Sequence, residues 1–318
     1  MNRRKVSVGD FLFKVGTSSF ALVLVFLVAA IGMVLCYQSW PTIREFGLNF
    51  WRTTTWDPVL GDFGALPFIW GTLYSSLLAL LIATPISIGV AIFISELCPQ
   101  RLKQSLVFLT ELLAAIPSIV YGMWGIFVLV PAVRTFEGWF PEWLRAFPLF
   151  SGPRVGVSMF SAALILAVMI IPFTSSVARE VLKAVPMAQR ETAYALGATR
   201  WEVTRVALHY ARVGIVGAIM LGLGRAFGET MAVTMVIGNT PHMSLSLFET
   251  QYTMAAVIAN EFVEAANDLH ISALIEIGFV LFIVTFLINT ASRLLIWGMT
   301  HQRKQTVRTP VKSLETAA

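Results

Sequence analysis

Six stretches of this chain are too apolar for water and too long to be strands. Residues 15–43, 63–95 and 155–178 contain no charged side chain, and 106–130, 213–237 and 271–297 contain at most two each. A helix needs about 20 residues to cross the ~30 Å hydrocarbon layer of a bilayer. Backbone amides left unpaired in lipid are so costly that only helices and closed barrels span it. Barrel strands alternate apolar and polar residues in short segments, whereas these runs are continuous. The expected fold is therefore an all-α polytopic membrane protein with six transmembrane helices. They are expected at about 15–37, 66–94, 106–130, 155–178, 213–237 and 271–297. Composition agrees: only 13% of the residues are charged, against about 25% in a soluble domain. A cleavable signal peptide is a poor alternative for the first run, which is too long and ends in Cys36-Tyr-Gln-Ser-Trp.

Lysines and arginines cluster between the runs, so they report topology rather than a nucleic-acid groove. Counting alternate connections gives sixteen on one side and five on the other. The rule that basic loops stay inside places both termini and the 179–212 loop in the cytoplasm. Tryptophans 40, 51 and 56 mark an outer segment at the membrane boundary. The chain divides into an N-terminal helix and extracytoplasmic loop (1–66), a membrane permease domain (67–298) and a cytoplasmic tail (299–318). Cys36 and Cys98 form no C-x-x-C pair, the four histidines are scattered, and no glycine precedes a lysine. Neither a metal site nor a disulfide framework is expected. The phosphate-gripping G-x-x-x-x-G-K-[ST] loop is absent, so any ATP must be bound by another chain.

Two features carry chemistry. The first is the 179–212 loop, in which Gly197 separates two expected short helices. Thr199 and Glu202 stand at capping-box spacing before the second. An ordinary amphipathic linker would have the same periodicity. The second is the fifth run, where Arg225 lies twelve residues beyond Val213, roughly 18 Å into the membrane at about 1.5 Å per residue. If the helix is continuous, Glu229 lies one turn further on the same face, within ion-pair reach. Charge at that depth must face protein or water. Either the two residues neutralise each other and lock the helix in place, or Arg225 lines a path and meets an anion with its planar fork. Gly224 and Gly228 are spaced for close helix packing. Glu111 and Glu276 fall near the ends of the third and sixth runs and are weaker candidates.

Glu191-Thr192-Ala193-x-x-x-Gly197 resembles the E-A-A-x-x-x-G loop of ABC importer permeases, with Thr192 in place of the first alanine. Val206-Ala207-Leu208-His209 stands where that family has I-x-L-P, so the proline is missing. Three further stretches resemble the PstC-type permease of the phosphate-specific importer, rather than its PstA-type partner. They are Phe63-Gly-Ala-Leu-Pro-Phe-Ile-Trp-Gly-Thr-Leu-Tyr-Ser-Ser76, Glu111-Leu-Leu-Ala-Ala-Ile-Pro-Ser-Ile-Val-Tyr-Gly122 and Gly224-Arg-Ala-Phe-Gly-Glu-Thr-Met-Ala-Val233. The resemblance spans about 60–293. It implies a type I ABC importer permease fold and a membrane subunit that does no covalent chemistry. It also implies a second permease of PstA type, two ATPase subunits holding ATP and Mg, and an extracytoplasmic phosphate-binding protein. Glu191, Thr192, Ala193 and Gly197 would couple to the ATPase, and Arg225 and Glu229 would line the substrate path. Sulfate or molybdate would suit Arg225 as well. A lone secondary transporter, which would show repeated halves, and a membrane scaffold are the other classes open to such a chain.

Overall fold

The computed structural model describes residues 8–315, with side chains from 299 onward outside the described set. Arg3, Arg4, Lys5 and the basic side chains of the tail therefore lie outside the described residues. Among the described residues, six helices are long and apolar enough to cross a membrane: Phe11–Gln38, Leu66–Leu97, Ser118–Gly138, Met159–Lys183, Arg200–Phe227 and Asp268–Gly298. The elements in order are α1 (Val8–Gln38), α2 (Trp40–Phe46), α3 (Leu66–Ile92), α4 (Gln100–Ala115), α5 (Ser118–Trp124), α6 (Val130–Gly138), α7 (Glu142–Arg145), α8 (Met159–Lys183), α9 (Met187–Ala195), α10 (Arg200–Phe227), α11 (Met231–Ile237), α12 (Met254–Glu261) and α13 (Asp268–Glu315). A two-stranded antiparallel ribbon, β1 (Trp56–Asp57) with β2 (Asp62–Phe63), is a small addition to the expected all-helical fold.

The bundle forms around α8, whose apolar stretch is more buried than that of any other span. Small residues make this possible. Ala162, Ala163, Ala167 and Ala178 of α8 are fully or almost fully buried, as are Ala79, Ala83 and Ser87 of α3. Without a hydrophobic drive between helices in lipid, close approach over small side chains is what holds them together. Pro85 and Pro172 sit inside α3 and α8, where neighbouring helices can satisfy the freed carbonyls. The Ser158 side chain accepts the Ser161 amide and starts α8 at Met159 rather than at 155.

Two further spans differ from expectation, each for a local reason. The third was expected at 106–130 and runs from Ser118 to Gly138. Pro117 forces Ile116 out of helical conformation, to ψ 130°. The preceding stretch becomes a separate amphipathic helix, α4, none of whose residues is buried. The fifth was expected to begin near 213. It begins at Arg200, because the Thr199–Glu202 capping box launches one continuous helix from the loop into the membrane. It ends at Phe227, and Gly228 to Thr230 separate it from α11.

The 38–66 segment is packed rather than lying loose. Phe50, Phe63 and Ala65 share a core with Phe68, Tyr252, Met254, Leu274 and Ile277. The Trp56 indole donates to Glu261 (2.9 Å), which also lies 3.2 Å from His270. Burial pushes the Tyr252 phenol up to about 12, so it stays neutral and accepts from the Asn260 amide (3.0 Å). α1 is exposed along most of its length and meets the bundle through its C-terminal half, where Gly32 lies against the Phe282 ring of α13.

Candidate functional site: a broken helix and the 179–212 loop

Arg225 occupies the last turn of α10, just before the break. It is half-buried, with its guanidinium carbon 5.6 Å from the centroid of the Phe173 ring on α8. A cation over an aromatic face is attracted by the ring quadrupole while its N–H groups stay free for another partner. Among the described residues Arg225 makes no ion pair. The pairing with Glu229 expected from i,i+4 spacing does not form, because the chain is not helical between the two. Glu229 Oε1 instead accepts the Ala232 amide (3.2 Å) in the first turn of α11.

The neighbouring glycines divide differently from the expectation. Gly224 and Gly228 touch nothing closely within this chain: added β-carbons would find only Asn289 Oδ1 at 3.9 Å and the Arg225 carbonyl at 4.0 Å. Gly222 is the close approach, with Thr174 Oγ1 at 2.5 Å and Ile170 at 2.9 Å from a β-carbon there. Gly122 and Gly125 bring the third span against α11, at Met235, Ala232 and Val236. The Tyr121 hydroxyl donates to the Leu113 carbonyl (2.8 Å) across the Pro117 break. Phe173 carried no signal in the sequence beyond its place after Pro172. Gly122 lay inside one of the recognised motifs, but without an assigned contact.

The 179–212 loop has the expected turn. Gly197 adopts φ +82°, a left-handed conformation that glycine reaches without steric cost. α9 precedes it, with Ala193 buried and Glu191 and Thr192 exposed. Thr192 Oγ1 donates to the Ala188 carbonyl (2.7 Å). After the turn, Glu202 Oε2 accepts the Thr199 amide at 2.7 Å, and the Thr199 hydroxyl accepts the Glu202 amide at 3.5 Å. Thr199→Ala removes one of these bonds, and such a cap is worth about 1 kcal/mol. Hydrogen exchange in the first turn of α10 is expected to rise about fivefold as a result. Met187, Tyr194, Leu196 and Trp201 are exposed around the turn, an apolar surface of the kind that marks a contact with another protein. A groove of about 550 Å³ lies beside it, lined by Gln189, Glu202, Arg205, Val206, His209 and Tyr210.

Of the weaker candidates, Glu111 on α4 pairs with the buried Arg179 of α8 at 3.1 Å, and Arg179 also meets Glu180 at 2.9 Å. Glu276 is buried near the N-terminal end of α13.

Comparison with known proteins agrees with this architecture. Residues 83–299 match the model of the binding-protein-dependent transport system inner membrane component family. A phosphate transport system permease protein PstC of Mesorhizobium japonicum is 44% identical, with 92% of this chain and 91% of that protein covered. A protein of the same name from Haemophilus influenzae is 48% identical, covering 91% of this chain and 93% of that one. A probable one from the archaeon Methanocaldococcus jannaschii is 36% identical over 80% of this chain and 82% of its own length. In fold, the chain is similar to one in an inward-facing structure of the MetNI methionine ABC transporter. The TM-score is 0.56 at 18% identity, covering 73% of this chain and 94% of that chain. With its six apolar spans and these relatives, the chain belongs to the inner-membrane permeases of binding-protein-dependent ABC importers, and within them to the PstC type.

Proposed function

We propose that this chain forms half of the pore of an ATP-driven importer of inorganic phosphate. The observation that carries the reading is Arg225: a guanidinium at the end of a broken helix that makes no ion pair among the described residues. The phosphate transport relatives favour phosphate as the anion it meets. Glu229 stays close in sequence and lowers the local positive potential, so the anion is passed on rather than held. The permease domain 67–298 carries the path, flanked by 1–66 and by the tail 299–318. A PstA-type permease supplies the other half, with Gly224 and Gly228 open to it. An extracytoplasmic binding protein delivers phosphate. Both termini and the 179–212 loop are cytoplasmic, where Glu191, Thr192, Ala193 and Gly197 meet one of two ATPase subunits. ATP and Mg belong to those subunits, and this chain binds no cofactor.

The coupling part of this reading is tested at Gly197. A β-branched residue at φ +82° is strained by roughly 1–3 kcal/mol, and the loop can relieve that only by changing shape. Gly197→Val is expected to lower both ATPase stimulation and phosphate uptake by about tenfold, since each 1.36 kcal/mol is a factor of ten. Ordinary uptake by a fully assembled Gly197→Val complex would remove the loop from the coupling path.

A further inference from the structure

Arg190, one residue before the Glu191 motif, is turned away from the exposed face of α9 and into the membrane domain. Its Nη2 lies 2.9 Å from Glu96 Oε1, and both side chains are 13% exposed. The same guanidinium donates to the carbonyls of Val185 (2.7 Å) and Leu182 (2.9 Å) at the end of α8. One side chain thus gathers three segments: α9, the end of α8 and the end of the second span. A planar fork with several donors suits such a junction, which a lysine could not reproduce.

Glu96 is placed where that junction can act. It lies in a single π-turn, Phe93–Leu97, that ends the second span. Such turns interrupt regular helices and recur at functional sites. Ser95 Oγ lies 3.3 Å from the same Glu96 oxygen, and Lys103 of α4 donates to the Ser95 carbonyl (3.1 Å). The polar chain Arg190–Glu96–Ser95–Lys103 therefore runs unbroken from α9 to α4.

α4 is a surface helix bounded by prolines. It has no buried residue, and Pro99 and Pro117 interrupt the backbone at its two ends. Beyond Pro117, α5 lies against α11 through Gly122, and α11 begins at the break beside Arg225. A displacement entering at Arg190 has a contiguous physical route to that break.

We propose that the Arg190–Glu96 pair is the joint through which movement of the cytoplasmic loop reaches α4 and the mid-membrane break, so that both are positioning residues for transport. This rests on the coupling reading of the 179–212 loop. The test uses the complex purified with its partner permease and ATPase subunits, reconstituted with the binding protein outside. Three quantities are read: ATPase subunits recovered, ATP hydrolysed, and labelled inorganic phosphate moved per ATP. Glu96→Gln is expected to keep the ATPase subunits and their hydrolysis while phosphate moved per ATP falls about fivefold, within the range by which coupling residues act. The double exchange E96R/R190E should recover part of it. Lys103→Met leaves the pair intact and cuts its link to α4; it is expected to lower the ratio about twofold, and it decides the matter if Glu96→Gln yields no complex. An unchanged ratio in the variants, or loss of the ATPase subunits as the only defect, overturns the joint. A parent complex with no ATP-driven phosphate uptake would instead overturn the proposed function, before any variant is compared.

Discussion

Arg225→Ala is expected to abolish ATP-driven phosphate uptake, by about 100-fold or more, in a complex that still assembles. A hydrogen bond to a charged group is worth about 1.5–3 kcal/mol, and a bidentate guanidinium on phosphate makes two. Losing both raises the barrier by at least the roughly 2.7 kcal/mol that corresponds to 100-fold. Assembly should survive, because Arg225 ties no other charged side chain among the described residues. It makes no ion pair among the described residues, and its guanidinium lies over the Phe173 ring. Arg225→Lys keeps the charge but not the fork, and is expected to fall between, at about tenfold below the parent. Uptake measured beside recovery of the partner subunits checks both. Full uptake by both variants would make Arg225 part of the scaffold.

The second large effect is structural. A β-carbon at Gly71 would fall on the Tyr252 carbonyl oxygen, a backbone atom that cannot swing aside. The next residue fixes why that carbonyl is so close. Thr72 Oγ1 accepts the Met254 amide (2.9 Å) and donates to the Phe68 carbonyl (2.8 Å), seating the 252–254 segment directly on α3. Gly71→Val must push that segment away, break the Thr72 bond and open the core formed by Phe68, Tyr252, Met254 and Leu274. Overpacking alone costs about 1–3 kcal/mol, and an orphaned buried amide adds about 1–3 more. The expected result is little or no folded permease, read as recovery of monodisperse protein from the membrane. Near-normal recovery of Gly71→Val would show that the segment can sit elsewhere.

How much of this was legible beforehand depended on the kind of signal. The spans were readable because uncharged runs of this length have one physical solution in lipid. The capping box was readable because its two partners are three residues apart. The turn at Gly197 was readable because a glycine there interrupts good helix formers. The break at Pro117 was within reach: Ile116 precedes a proline, which disfavours helix, yet the apolar run around it looked continuous. The break at Gly228 was not. Glycine is common in membrane helices, and nothing in Gly-Glu-Thr says that the Glu229 carboxylate would leave Arg225 for an amide of α11. Long-range contacts were invisible altogether. Phe173 under Arg225, Arg190 against Glu96 and Gly71 under Tyr252 are separated by 52, 94 and 181 residues, and no local pattern marks them.

The most direct test of the central claim is uptake of labelled inorganic phosphate by vesicles holding the complete complex, with ATP on the ATPase side and binding protein on the other. The account predicts saturable uptake that needs both ATP and the binding protein and persists in excess sulfate. Uptake that continues without ATP, or transport of sulfate or molybdate in place of phosphate, would contradict it.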